Sequence, residues 1–410
     1  MTTLAKTVQA LTVAGAGVLV PATNAFALWD NQLELFASET VAHDSNVFRL
    51  SSAVDPTAAF GTSSKADTYR ITSFGLGFDV PVSRQRFVGG YSRNYTRYNR
   101  FTVLDLDGYD GRALWVWQIG NDLNGQVGYT QRLTLASLAN IQSGLQSVTP
   151  DFFKTKEAFA DATYKLTARW QIRGQANWLD QSNSAAERKI NDTSVGGGAL
   201  TVSYITPANN QIGVNATVAS ASVPNRELVA GQAVDNSYQQ QHLGAVAEWT
   251  LAGHSRVDLR AGRVTRDYAQ LPQRNYAGPF LYAGYEWKPT GKLTFNAVAQ
   301  RDISSTEEIN VGFVVIKRVA LSPTWQATEK ISVDGVLEYS DRDYRGDPGQ
   351  VLSTVGPRTE KVRAAALAVS YRPIRTVTVN LAARRETRTA SVAFGDYAAN
   401  IVSLGIRLGI

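Results

Sequence analysis

Polar and apolar residues alternate with a period of two along most of the chain. Leu293, Phe295, Ala297 and Ala299 interleave with Thr294, Asn296 and Gln300. Val377, Val379, Leu381 and Ala383 interleave in the same way with Thr378, Asn380, Arg384 and Glu386. Near the end, Val402, Leu404, Ile406, Leu408 and Ile410 alternate with Ser403, Gly405, Arg407 and Gly409. Period two sends successive side chains to opposite faces of a strand. Each segment therefore predicts a strand with one apolar and one polar face, and the pattern is established from Thr68 onward. Helical spacing is not sustained over any comparable length.

The connections alternate too. Short turns are expected near Pro81–Arg84, Gly120–Leu123, Leu166–Ala168, Pro207–Asn210, Ala252–Gly253, Pro289–Thr290, Pro323–Thr328 and Pro373–Ile374. Longer polar loops are expected near Ser51–Asp67, Ser137–Asp151, Gln181–Asn191, Pro224–Asn236, Leu271–Asn275 and Asp343–Pro357. Tight turns at one end and long loops at the other are the layout of a transmembrane barrel. The expected fold is all-β, a transmembrane antiparallel up-and-down β-barrel of about 18 strands. Residues 28–410 then supply roughly 21 residues per strand with its connections, enough for a tilted spanning strand of about 9–11 residues, a rim and a loop.

The first residues read as an address. Lys6 gives a short positive start, Val8 to Val20 is apolar, Pro21 breaks the run, and Ala25-Phe26-Ala27 has the small-x-small form of a cleavage site. Residues 1–27 are expected to be a signal peptide and 28–410 the barrel, with 28–67 its first strand and first long loop. No segment reaches the roughly 18 apolar residues of a transmembrane helix. The expected location is the bacterial outer membrane.

Composition narrows the chemistry. The chain has 410 residues, 44% of them apolar and 19% charged, no cysteine, one methionine and three histidines. Disulfides, thiolate metal sites and a cysteine nucleophile are excluded. The net charge is +6, yet no basic run or binding motif accompanies it, so no nucleic-acid partner is expected. Aromatics cluster beside the short turns: Trp115, Trp117, Trp170, Trp249, Tyr285, Trp287 and Tyr371 flank them, and Trp325 is expected within one. Such amphipathic rings form girdles at the headgroup level, which implies membrane lipid and lipopolysaccharide as partners.

The polar faces would line a hydrated interior. On this register they carry Arg132, Glu248, Asp258, Arg260, Glu286, Asn296, Gln300, Asn380, Arg384, Glu386, Arg388 and Arg407. Arginine exceeds acid here, and guanidinium binds carboxylate and phosphate through paired donors. The arginines would attract anionic solutes; alternatively the charges pair with each other and only stabilise the wall. Arg93, Arg97 and Arg363 fall on the other face towards loop ends. There they would meet lipopolysaccharide phosphates or simply be solvated.

Signals for catalysis are thin. His43 lies near the start, His242 in a strand and His254 beside a short turn, none with the partners of a triad. The run from Asp105 through Asp107 to Asp110 has the composition of a calcium loop without its spacing. Glu307-Glu308 sits in a loop, and Gly196-Gly197-Gly198 lacks the lysine of a phosphate loop. No enzyme, cofactor or metal is expected.

Three short stretches carry a family resemblance. Glu39 to Ser51, with Asp44-Ser-Asn46-Val47-Phe48-Arg49 at its centre, resembles the early signature of EpsL-like proteins, outer-membrane barrels of exosortase-linked exopolysaccharide clusters. Tyr91 to Tyr109 and Leu114 to Gly125 are similar to later parts of that pattern. The resemblance implies an outer-membrane role in assembly or export of an extracellular polysaccharide and transfers no catalytic residue; the arginines suggest an anionic polymer, and the lack of a nucleotide site suggests periplasmic export components as partners. The chain ends in Ile410 rather than the aromatic that often meets the barrel-insertion machinery; an apolar end is expected to serve. Two further readings stay open: a plugged structural or binding barrel that anchors polysaccharide at the cell surface, and a general diffusion porin.

Overall fold

A computed structural model describes residues 32–140, 150–229, 231–304, 313–345 and 358–410. The expected signal segment lies outside them. The strands are β1 (Leu33–Asp44), β2 (Asp67–Val82), β3 (Gln85–Tyr98), β4 (Leu106–Ile119), β5 (Leu123–Leu135), β6 (Phe152–Lys165), β7 (Trp170–Asn183), β8 (Thr193–Ile205), β9 (Gln211–Ser222), β10 (Glu227–Val229), β11 (Gln232–Val234), β12 (Tyr238–Leu251), β13 (Ser255–Tyr268), β14 (Tyr276–Thr290), β15 (Leu293–Ser304), β16 (Phe313–Gln326), β17 (Ile331–Arg345), β18 (Thr359–Ile374), β19 (Val377–Ala390) and β20 (Tyr397–Gly409). Strands β10 and β11 form a small hairpin within one loop. The other 18 form one sheet, each antiparallel to its chain neighbours.

β1 closes the ring. It pairs with β2 from Leu33↔Phe78 to Asp44↔Asp67 and with β20 from Phe36↔Gly409 to Asp44↔Ile401. Leu35 and Ile410 exchange backbone hydrogen bonds at the seam. A closed ring leaves no strand edge unpaired, the condition for crossing hydrocarbon with strands.

Period two decides which face meets lipid. The outward rows are apolar and exposed, with Leu367, Leu381, Val402 and Leu404 all more than half exposed. The alternate residues of the same strands, Asn380, Arg384, Ser403 and Arg407 among them, point inward. The short-turn end and the long-loop end divide as expected, and tight turns mark the periplasmic side. The alternation begins earlier than Thr68, at Leu33.

Three sequence expectations shift. Pro323 and Trp325 lie within β16, not in a turn, which spans residues 327–330. The β16–β17 ladder skips Ser322 and Pro323, so the missing proline N–H interrupts no paired bond. A side chain at Gly335 would come within 2.9 Å of the Pro323 ring, so glycine makes room for it. The strands β14 and β18 likewise continue past Pro289 and Pro373 through register shifts. The acidic run after Asp105 is strand β4, not a loop.

Candidate functional site

The inner wall is built by the polar rows. Every charged residue expected inside lies on an inward row, and most are engaged by a partner of opposite sign. Arg132 Nε donates to Asp110 Oδ2 at 2.7 Å across β4 and β5. Arg260 lies 3.2 Å from Asp258, and Arg384 donates to Glu386 at 2.6 Å. Arg407 pairs with Glu34 across the β1–β20 seam. Glu286 is 2.8 Å from Lys288, Glu248 2.5 Å from Arg256, and Arg318 2.8 Å from Glu338. Most of these arginines are thus paired with acids along the wall. The acids Glu34 and Glu338 were not singled out in the sequence, and Asp110 stood out only as part of an acidic run. Only cross-strand register assigns them to these arginines.

Aromatic rings stand among these charges. Arg407 lies over the Phe36 ring at 3.6 Å from its centroid, and Arg260 over Tyr282 at 5.4 Å. Phe36 fits because Gly75 opposes it: a Cβ there would come within 2.4 Å of the ring. His242 also faces inward, 3.3 Å from Asp302 and edge-on to Phe280 at 5.1 Å. His43 faces outward and bonds Thr68 Oγ1 at 3.0 Å. His254 sits at a short turn, its carbonyl accepting from the Lys288 amide. The three histidines are thus dispersed.

The carboxylates after Asp105 diverge. Asp105 accepts from the Tyr98 amide, Asp107 faces outward to Arg97 at 2.5 Å, and Asp110 faces inward. Among the described residues no group of three metal-ligating side chains converges. Gly196-Gly197-Gly198 lies within β8. Glu307-Glu308 lies outside the described residues.

At the long-loop end, loops fold over the wall. In the loop after β1, Asn46 accepts from the Leu50 amide at 2.9 Å and donates to the carbonyls of Leu50, at 2.8 Å, and Ala398, at 3.1 Å. Arg49 adopts φ 55 and bonds Asp44 at 2.8 Å. Burial opposes the Arg49 charge, but Asp44 by charge and hydrogen bond, together with Glu386 and Tyr397, holds the guanidinium above its ordinary range. Val47 and Phe48 are buried with Phe101 and Leu104, and Phe48 stacks on Phe60 at 4.1 Å. The residues that carry the family resemblance thus dock a loop. A second apolar cluster of Val264, Tyr268, Leu271, Ile303, Phe313 and Val315 lies at the same end.

One contact crosses the mouth. Arg388 on β19 is buried; its Nε donates to the Gly395 carbonyl at 2.7 Å, and its Nη1 donates to the carbonyl of Ala139 in the loop after β5. It also lies 3.4 Å from the fully buried Glu360. β5 and β19 are six strand steps apart in a ring of 18. The loop after β5 therefore reaches a third of the way around the wall. Sequence spacing placed Arg388 inside but carried no signal of this reach.

On the outside, all eight girdle residues sit on outward rows at the short-turn end. Trp115, Trp170, Trp249, Tyr285, Trp287, Trp325 and Tyr371 are each 38–48% exposed, and Trp117 packs over Gly125. An upper set that the sequence reading left out includes Trp178 and Tyr339. Trp178 stands eight positions above Trp170 on β7, a height of about 20 Å at ordinary strand rise and tilt. That spacing matches an apolar band of about 25 Å.

Comparison with known proteins agrees with this architecture. Residues 233–409, less than half of the chain, match the family model described as "Putative beta-barrel porin 2". No curated protein matches the chain. Among solved structures, the FrpB iron transporter from Neisseria meningitidis is similar at 10% identity, covering 93% of this chain and 82% of that one, with TM-score 0.50. A BenF-like porin from Pseudomonas fluorescens Pf-5 is similar at 12% identity over 92% of this chain and 98% of that one, with TM-score 0.47. Pseudomonas aeruginosa OccK2 (OpdF) aligns at 11% identity over 92% and 98%, with TM-score 0.48. The likeness to FrpB concerns the fold alone. With its closed ring, lipid-facing belt and two aromatic girdles, the molecule is a porin-like β-barrel of the bacterial outer membrane.

Proposed function

We propose that the barrel is a channel for hydrophilic solutes, and that its cargo is an anionic polysaccharide leaving the cell. The observation that carries this reading is the inner wall, where charged and hydrogen-bonding side chains of the strands face the interior while the alternate residues between them face outward. Paired charges bind a passing anion weakly and at many sites, which suits conduction rather than storage. The units Arg407 with Phe36 and Arg260 with Tyr282 present flat apolar faces beside donors, the two surfaces a sugar ring uses. The resemblance around Asp44 to Arg49 supports the polymer. The reading assigns no catalysis, and energy for transport comes from periplasmic export components or polymer synthesis. Planar-bilayer recording with an acidic polysaccharide added to one side tests it. Block by the polymer supports export, and indifference to it leaves a general diffusion porin.

A second reading, a barrel whose mouth is plugged and whose loops hold polysaccharide at the surface, draws on the Arg388–Ala139 contact and the two apolar clusters. Deleting residues 136–151 separates the two. A plugged barrel gains conductance on deletion, whereas a channel already conducts without it.

A further inference from the structure

On the outer wall, the sheet from β16 to β19 carries a groove of about 580 Å³. Its floor is Leu321, Leu337 and Ala365, with Arg385 at the end of that row, and its upper edge is Tyr339 and Arg363. Register explains the grouping. Leu321, Leu337, Ala365 and Arg385 form one outward row, and Val319, Tyr339, Arg363 and Thr387 form the next row up. One row higher, Lys317, Asp341 and Lys361 stand in line, with Lys317 3.6 Å from Asp341. Arg385 donates to Asn400 Oδ1 at 3.1 Å. Among the described residues no carboxylate lies within ion-pair distance of Arg363, Arg385 or Lys361.

The height of this patch is informative. Tyr371 of the lower girdle lies eight positions below Arg363 on β18, about 20 Å along the membrane normal. Arg363 therefore stands where the apolar band ends and headgroups begin, beside the upper aromatic Tyr339, with Arg385 one row below it on the next strand. Arg363 and Arg385, outward cations with no counterion among the described residues, are complementary to phosphate at that level, and two guanidinium groups on adjacent strands offer forked donors to one phosphate. Below them, the leucine floor is continuous with the lipid belt. The arginines of β3 offer no equivalent: Arg97 is neutralised by Asp107, and Arg93 lies over Tyr109.

We propose that this groove binds one phosphorylated, acylated glycolipid of the outer leaflet. Its phosphate lies between Arg363 and Arg385, its sugar against Tyr339, and an acyl chain along Leu337 and Leu321. The test is native mass spectrometry of the full-length protein extracted from membranes and challenged with diphosphoryl lipid A or its dephosphorylated form. The wild type should retain one diphosphoryl lipid A. Replacing Arg363→Gln and Arg385→Gln together should reduce that adduct at least about tenfold, the scale of one lost charge-assisted hydrogen bond. Arg97→Gln should leave it unchanged. The Arg363→Lys, Arg385→Lys pair keeps charge without forked donors and should fall between, which also tests the site if the glutamine pair fails to fold. Equal retention by the double variant, or of the dephosphorylated lipid by the wild type, would overturn the proposal. So would full displacement by millimolar inorganic phosphate, which would mark a simple anion site.

Discussion

Arg388 and Ala139 join two parts of the barrel that are six strand steps apart. The guanidinium of Arg388 is held on its own wall by the Gly395 carbonyl at Nε and by Glu360 beside Nη1, and the same Nη1 donates to the Ala139 carbonyl of the loop after β5. The loop is thereby tied across the outer mouth. Arg388→Gln cuts the tie and leaves Glu360 with fewer partners inside the wall. Removing one member of a buried charged network costs about 3–5 kcal/mol, so lower stability towards denaturant is expected. In bilayer recordings the variant should flicker more between conductance levels than the wild type. Unchanged noise would mean that the loop is held by other contacts.

On the proposed channel reading, the acids of the inner wall temper its anion preference. Glu34 neutralises Arg407, and Glu386 engages Arg384. Glu34→Gln with Glu386→Gln would leave both arginines in place and remove their counterions. Reversal potentials measured across a salt gradient should move towards anion preference. A shift towards cations, or none, would show that these pairs do not face the conduction path.

The two faces of the wall should respond differently to the same charge. Leu367 lies mid-belt on an outward row, and Asn380 lies on an inward row. Leu367→Arg is expected to cost about 2–4 kcal/mol, the penalty for arginine at the bilayer midplane. Asn380→Arg should cost under about 1 kcal/mol. Unfolding titrations in lipid vesicles compare the two directly.

The loop signature can be tested through Phe48. Its ring stacks on Phe60 and meets Phe101 edge-on at 4.8 Å. Phe48→Ala removes the centre of that cluster at a local cost of about 3–5 kcal/mol. The barrel should stay folded, because the cluster lies beyond the strand ladders. Limited proteolysis should then cut residues 45–66 faster than in the wild type. Equal cutting rates would show that Asn46 and Arg49 hold the loop alone.

Much of this architecture was legible in the sequence because a spanning barrel writes itself in period two. Val402 to Ile410 and Val377 to Glu386 declare their faces residue by residue, and tryptophans beside turns mark the lower interface. The pairing of charges was not legible. Arg407 and Glu34 are neighbours only because the ring closes, and Arg132 meets Asp110 only through register. The turn expected at Pro323 was misplaced because proline signals a break locally, while a gap in the ladder and Gly335 opposite let it stay in the strand. Arg385 beside Arg384 was legible in principle as an outward cation. Its meaning came from Arg363 on the next strand. The reach of the loop after β5 to Arg388 depends on tertiary packing alone.

The most direct test is single-channel conductance of the refolded wild-type barrel, residues 28–410, in a planar bilayer. The account predicts steady conductance of hydrated ions with only modest anion preference, because most inner-wall arginines are paired. Absence of conductance from a folded, heat-modifiable barrel would contradict it and leave a plugged, surface-binding barrel in its place.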